Sequence, residues 1–387
     1  MKPYRILFFI SSLDCGGAEI HLLNLAMFLK KAGHIPAVCT LSSGEGALDT
    51  AFFSNEIPLF RLPLDSLSEL AFPSKIRSLK RILNGFGPDI VHGHLYHAEV
   101  VALAASFIQR LPLAVTRHSS GLELNGARRF AARLIHLRAR AIIAVSGEAY
   151  EEAESLGCSE EKLELIANAV DTERFKPMNT SEREDRRKGL VEKVFGDAVP
   201  YSAGTIIIGS VGGLKSVKDY PFLIEVASRV SNDVRLEGRG LKPRFVIVGE
   251  GEERRRLEWL LKNKGLQRVV ALFGYSDELE RIYPLFDIFA LTSKAEGVPL
   301  ALLEAMASSV PAVATDVGGV KEALGDCGLA VPHGDVDSFV EGLSTLILDG
   351  DLRTELGRRA RVRAMEKFDR EAWGEAVLDI YRRMIFR

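Results

Sequence analysis

Short runs of branched and aliphatic residues alternate with longer helical patterns along all 387 residues of the chain. That alternation limits the fold more than any single motif does. In the first half the strand-like runs are 6–10, 37–41, 90–92, 113–116, 141–145 and 163–166. In the second half they are 205–211, 245–248, 269–273, 288–291, 312–315 and 329–331. Helical patterns separate most of them, which predicts parallel sheets in α/β domains. The length exceeds a typical single core and suits two domains of similar size. Residues 178–204 are polar and charge-dense (Ser181-Glu182-Arg183-Glu184-Asp185-Arg186-Arg187-Lys188), so they are expected to link the halves, with room for a helical turn at 190–195. A second polar stretch, 231–242, is expected to be a solvated loop. The terminal pattern 368–385 is amphipathic, with Trp373, Val377, Leu378, Ile380, Tyr381 and Met384 available for burial.

Composition excludes several classes. Apolar residues make up 47% and charged residues 26%, as in a globular protein, and a net charge of −2 gives no general electrostatic case for nucleic acid. Cys15, Cys39, Cys158 and Cys327 lie far apart with no CxxC spacing, which favours a reducing cytoplasm over a disulfide framework or a zinc site. The opening Lys2-Pro3-Tyr4-Arg5 and its apolar run superficially resemble a signal peptide. The run is short and leads into Asp14 and a glycine pair, so it is expected to be a first buried strand. No run approaches the length of a membrane span.

The most informative motif is Thr292-Ser293-Lys294-Ala295-Glu296-Gly297-Val298-Pro299-Leu300-Ala301-Leu302-Leu303-Glu304. It follows the apolar run 288–291 and predicts strand, loop and helix. Glu296 then sits at the carboxyl end of a strand, where open α/β sheets bind ligands. The helix N-terminus offers N–H groups suited to a phosphate. A carboxylate beside an anion site is tolerable when each meets a different part of one ligand. Hydroxyls for the carboxylates and phosphates for the amides describe a nucleotide sugar. The bland alternative is an ordinary βα unit with two surface glutamates.

The motif resembles the Glu-x7-Glu signature of glycosyltransferase family 4, the group 1 type, whose members are retaining enzymes with the GT-B fold. Further landmarks follow the family's order across nearly the whole chain. The resemblance implies an α/β protein of GT-B type: two Rossmann-like domains with parallel sheets facing a central cleft. The expected division is 1–177 for an acceptor domain, 178–204 for the linker, 205–367 for the nucleotide-sugar donor domain, and 368–387 for a helix returning to the first domain. It implies a retaining transfer from a nucleotide-diphosphate sugar to a glycan or lipid-linked acceptor in cell-surface polysaccharide or glycolipid synthesis. No cofactor and no metal are expected, the nucleotide sugar being a co-substrate.

Site residues follow by position. Cys15-Gly16-Gly17-Ala18-Glu19 opens a helix after the first strand and matches the glycine-rich loop facing the donor phosphate, with Gly17 the closest match. It is not a GxGxxG fingerprint, which disfavours a nicotinamide site. Gly212 and Gly213 begin a loop in which the family has Gly-Arg-Leu and then a lysine; Lys218 matches the lysine, Gly213 replaces the arginine, and Lys215 is the available substitute. Gly249 belongs to a Gly-x-Gly turn below the nucleotide. Glu296, Gly297, Val298, Pro299, Leu300 and Glu304 complete the donor set. His118 matches the histidine near the reacting carbon, so His118, Glu296 and Lys218 are the catalytic candidates. His92, His94, His97 and Arg117 are expected as a polar cluster on the acceptor side rather than as metal ligands. Ala169 replaces a usual glycine after Asn168 and would be strained if that position needed a positive φ. Asp335-Val336-Asp337 is expected to cap a helix.

The basic amphipathic segment 128–140 is expected either as an exposed helix on a soluble domain or as a surface resting on anionic lipid. The expected location is therefore cytoplasmic, with a peripheral station on the inner face of the plasma membrane as its extension. Three alternatives remain open at this point: a nucleotide-sugar epimerase, a sugar phosphorylase, or a degenerate GT-B binding or partner subunit.

Overall fold

The computed structural model describes residues 2–14, 16–118, 126–196 and 199–386. Cys15, which precedes the glycine pair, lies outside the described residues. The chain divides into two compact units, Met1–Asn168 with Glu371–Arg387 (unit 1) and Ala169–Arg370 (unit 2).

Among the described residues, unit 1 holds seven strands: β1 (Arg5–Ile10), β2 (Ile35–Thr40), β3 (Leu59–Arg61), β4 (Ile90–His94), β5 (Leu113–Arg117), β6 (Ala141–Ala144) and β7 (Leu163–Leu165). They form one parallel sheet in the order β3-β2-β1-β4-β5-β6-β7. The order reverses between β1 and β4, so the loops leaving those two strands diverge to opposite faces and open a crevice at the strand ends. The central strands are buried on both faces, which is why they read as continuous apolar runs. β3 escapes sequence detection: it is a three-residue edge strand whose residues are only half-buried.

The helix Arg370–Phe386 buries Trp373, Val377, Leu378, Ile380, Tyr381 and Met384, the stripe expected from its periodicity. Gly374 lets it approach the first helix, Gly17–Lys31: a Cβ there would fall 2.4 Å from the Phe28 ring. Tyr381 reaches the sheet itself, its hydroxyl 2.7 Å from His92 Nδ1 on β4.

Unit 2 holds six strands among the described residues: β8 (Thr205–Val211), β9 (Lys242–Val248), β10 (Val270–Gly274), β11 (Ile288–Leu291), β12 (Ala312–Thr315) and β13 (Leu329–Val331). Their parallel order is β10-β9-β8-β11-β12-β13, with the reversal between β8 and β11. Two polar segments differ from expectation. Residues 231–242 are not wholly a solvated loop: they contain the short helix Val234–Glu237, whose Leu236 is buried, and the start of β9. Residues 178–204 contain a sixteen-residue helix, Thr180–Phe195, capped by Asn179 and built into unit 2.

A buried charge pair explains that helix. Arg187 donates to both carboxylate oxygens of Asp287, at 2.5 and 2.7 Å, and to the Thr205 carbonyl at 3.0 Å. Asp287 also accepts from Arg183 at 3.1 Å and from the Ile207 N–H at 2.8 Å. Burial alone would raise the Asp287 pKa, but the Arg187 guanidinium overrides it and holds the carboxyl below its ordinary value. Arg187→Ala leaves that carboxylate buried and under-paired, so it should cost about 3–5 kcal/mol. Thermal melting checks this, and adding Asp287→Asn should recover part of the loss; a variant as stable as wild type would show that the pair does not anchor the helix.

Candidate functional site

In unit 2 the site assembles around the β8/β11 reversal. The loop after β8 lies backbone against backbone on the turn after β9. The Gly212 N–H donates to the Val248 carbonyl at 3.0 Å and the Leu214 N–H to the Glu250 carbonyl at 2.9 Å. Gly249 has φ +147, and a Cβ there would fall 2.0 Å from the Gly212 oxygen. Glycine is therefore required at 249 by both conformation and space. Gly213 is different: a Cβ there would meet the Lys215 Cε and Cγ at 3.6 and 3.7 Å, ordinary contact distances. The Lys215 stem thus runs beside the position from which the family's arginine would extend.

Lys218 ends a single 3-10 turn, Ser216–Lys218. Its Nζ lies 2.5 Å from Glu296 Oε1, which also accepts from Ser293 Oγ at 2.6 Å. Two more bonds staple the loops leaving β8 and β11: Thr292 Oγ1 donates to the Lys218 carbonyl at 2.9 Å, and the Lys294 N–H to the Val217 carbonyl at 2.8 Å. From β12, Thr315 Oγ1 donates to the Ser293 carbonyl at 2.7 Å, and the Gly319 N–H to the Gly297 carbonyl at 2.9 Å. Gly297, Val298, Pro299 and Leu300 are buried and lead into the helix Leu300–Ala307. Glu304 lies on that helix, 9% exposed, and accepts from the Tyr283 hydroxyl at 2.7 Å. Burial raises its pKa to about 7, against the opposing Tyr283 hydrogen bond and the Arg174 charge.

Sequence reasoning missed Ser293, Tyr283 and Asp219. Asp219 adopts a left-handed conformation (φ 48, ψ 47), with His333 Nε2 3.0 Å and Lys294 Nζ 3.8 Å from its carboxylate. Aspartate tolerates that region better than most residues, and such strained positions cluster at functional loops. Asp335 caps the helix Val336–Leu348, accepting from the Ser338 N–H at 3.0 Å and its hydroxyl at 2.7 Å.

In unit 1 the β1/β4 reversal gathers a second group. Gly16 caps the helix Gly17–Lys31. Among the described residues a Cβ on Gly17 would have nothing within 4 Å, whereas one on Gly16 would meet the Glu19 carboxylate at 2.4 Å. The histidines split into two sets. His92 is fully buried, with Nδ1 on Tyr381 and Nε2 2.8 Å from Thr116 Oγ1, so it braces the sheet rather than lining a surface. His94 Nδ1 lies 2.9 Å from His118 Nε2, and His21, which sequence reasoning passed over, joins them. His21 Nδ1 donates to Asn168 Oδ1 at 2.8 Å. Burial lowers the pKa of His21 to about 4 and those of His94 and His118 well below the ordinary value, neighbouring histidines adding to the shift in the last two.

The remaining acceptor-side expectations do not gather there. His97 is exposed, packed edge-on to Tyr96. Arg117 turns into the core, 3.1 Å from Glu99 and 3.2 Å from His136 Nε2. Burial raises the Glu99 pKa despite Arg117, and it lowers that of His136 to about 4, Arg117 and Lys162 adding to the shift. Ala169 is not among the positive-φ residues, so the departure from glycine there carries no strain.

The helix Gly126–Arg138 buries Ala132, Ile135 and His136 and turns Phe130, Leu134 and Leu137 outward, at 65, 41 and 73% exposure. Arg129 and Arg133 are exposed on the same helix. Phe107, 62% exposed, stacks under Arg138 and extends the apolar patch. No helix among the described residues is long and apolar enough to cross a membrane.

Comparison with known proteins gives the family and the fold. Residues 15–174 match the family model described as Glycosyltransferase Family 4, and residues 199–363 match Glycosyl transferases group 1. The putative glycosyltransferase EpsF of Bacillus subtilis (strain 168) is 26% identical, over 81% of this chain and 79% of that protein. The N-acetyl-alpha-D-glucosaminyl L-malate synthase of Bacillus anthracis is 25% identical, over 82% of this chain and 79% of that protein. The crystal structure of Anabaena Alr3699/HepE with UDP-glucose superposes with a TM-score of 0.83 at 22% identity, covering 98% of this chain and 99% of that one.

Glu304 makes the site's pH behaviour testable. Its folded-state value of about 7 lies above the 4.5 of an exposed glutamate. Protonation therefore favours the fold: the contribution is complete below pH 4.5 and is lost as pH rises through 7. Glu304→Gln removes this dependence, so its stability relative to wild type should rise across that window by on the order of 3 kcal/mol. Denaturant titrations at several pH values read this out, and a pH-independent difference would mean that the carboxyl is ionised throughout.

Proposed function

We propose that this chain, which belongs to glycosyltransferase family 4 of the group 1 type and is a glycosyltransferase with the GT-B fold, transfers a sugar with retention from a nucleoside diphosphate sugar to a glycan or lipid-linked acceptor. The observation that carries this reading is the contact of Lys218 and Ser293 with Glu296 at the β8/β11 reversal, with Glu304 eight residues further on. A lysine ammonium has three donors, so Lys218 can hold Glu296 and still offer protons to a phosphate.

In this mechanism Glu304 accepts from the ribose hydroxyls and Glu296 from hydroxyls of the donor sugar. Lys218 and Lys215 meet the negative charge that grows on the diphosphate as the glycosidic bond breaks. Lys215 takes the part that an arginine plays in the family pattern, an assignment supported by its stem beside Gly213. From unit 1 the mechanism takes the Gly17 amide, for the phosphates, and an uncharged His118, for positioning the reacting groups. These two roles are those the family resemblance implies. Rate comes from orientation and charge stabilisation, without a covalent nucleophile or a metal. Retention is supported by the state of Glu296: a carboxylate already held by an ammonium and a hydroxyl is suited to orienting hydroxyls rather than to deprotonating an acceptor.

UDP-glucose is the donor to assay first, since the solved relative binds it. Glu296→Gln should lower kcat by about 10²–10³-fold with an unchanged melting temperature, and Lys215→Ala should raise the donor KM. Proton NMR of the first product reads the anomeric configuration. An inverted product would remove retention, and near-normal turnover by Glu296→Gln would remove that residue from the mechanism.

The acceptor is reached at an anionic membrane surface, through the exposed face of the helix Gly126–Arg138. Three outward apolar side chains with arginines beside them suit the interface between acyl chains and acidic headgroups. Binding to phosphatidylglycerol vesicles should fall with salt, be weak on phosphatidylcholine, and be lost in Phe130→Ser/Leu137→Ser. Sedimentation with vesicles measures all three. Equal partitioning of the double variant would exclude this helix as the contact.

A further inference from the structure

The imidazoles of His21, His94 and His118 come together from three separate segments: the first helix, the end of β4 and the residue after β5. One ring nitrogen of each lies within 4.8 Å of the other two. Ligand nitrogens around a tetrahedral zinc ion stand roughly 3.3 Å apart, from zinc–nitrogen bonds of about 2.0–2.1 Å. His94 Nδ1 and His118 Nε2 are already 2.9 Å apart.

Two further features point to a ligand rather than to packing. Asn168 Oδ1 can only accept, so His21 carries its proton on Nδ1 and presents the Nε2 lone pair. Metal-binding histidines are oriented in this way by a partner on the far nitrogen. His94 is wholly buried, with its Nδ1 turned to His118 and strained backbone beside it: Leu95, the next residue, has φ 69.

We propose that His21, His94 and His118 form a binding site for a borderline-soft divalent cation of the zinc class, with Asn168 as the orienting partner of His21. Three neutral nitrogens suit zinc, cobalt or copper and do not suit magnesium or calcium. His118 is the half-buried member, so a fourth coordination position is reachable from its side. Such an ion has no part in the transfer chemistry. It would engage His118 and so inhibit turnover, and that consequence alone rests on the role proposed for His118 above.

The test needs no donor or acceptor. The full chain is stripped with a chelator and titrated with zinc chloride in a calorimeter, and cobalt(II) absorption reports the ligand field. The expected result is one ion per chain and a tetrahedral cobalt spectrum. His21→Gln and His94→Phe should weaken binding by about 100-fold or more, and Asn168→Ala by about 10–100-fold. His97→Ala and Cys15→Ser should leave it unchanged. Circular dichroism checks folding, and if His94→Phe does not fold, His118→Gln carries the same expectation. Magnesium should not compete. No stoichiometric zinc, zinc retained by the histidine variants, or zinc lost in Cys15→Ser would each overturn the proposal.

Discussion

The salt bridge between Lys218 and Glu296 organises the second unit's site. It joins the loops of two adjacent strands at the point where the sheet order reverses. Without it, the Glu296 carboxylate would lose the cation that balances it. Glu304 meets the same difficulty by another route. It is buried far enough that its carboxyl is partly protonated near neutral pH, with a tyrosine hydroxyl as its hydrogen-bond donor. One acid is thus balanced by a neighbouring charge and the other by its surroundings.

Unit 1 uses burial differently. Its histidines are packed against one another and against Phe8 and Trp373, and they remain uncharged because the interior disfavours imidazolium. Neutral rings can approach within hydrogen-bonding distance without repulsion. A single structural imidazole, His92, spans from the terminal helix to β5 through its two nitrogens. His92 and His94 are therefore two residues apart and differently engaged, the first bracing the sheet and the second facing His118.

Much of the fold was legible because parallel, doubly covered strands leave unbroken apolar runs: β8, β11 and β12 have the boundaries those runs suggest. The edge strand β3 left no such run. The helix Thr180–Phe195 was hidden by its charge density, since nothing in the string shows that Arg187 will find Asp287 a hundred residues away. At the site, Glu296, Glu304 and Lys218 stood out by spacing, but the pairing of Lys218 with Glu296 depends on two loops meeting in space. Arg117 looked like a strand-end ligand because its partners, Glu99 and His136, lie on other elements. His21 did leave a signal: it falls on the buried face of its helix with Leu25, Phe28 and Leu29, where an imidazole has to be accounted for.

The terminal helix has a consequence for the order in which this protein can be made. Unit 2 is encoded in one uninterrupted stretch, whereas unit 1 is split by it and regains its last helix only from the final residues. Until Tyr381 and Trp373 leave the ribosome, His92 lacks its hydroxyl partner and His21 its aromatic neighbour. The half that is translated first therefore lacks part of its packing until residues beyond the second unit emerge, while the second is encoded without interruption. Domains usually mature in the order in which they emerge; here the chain's connectivity makes completion of the first depend on residues that follow the second.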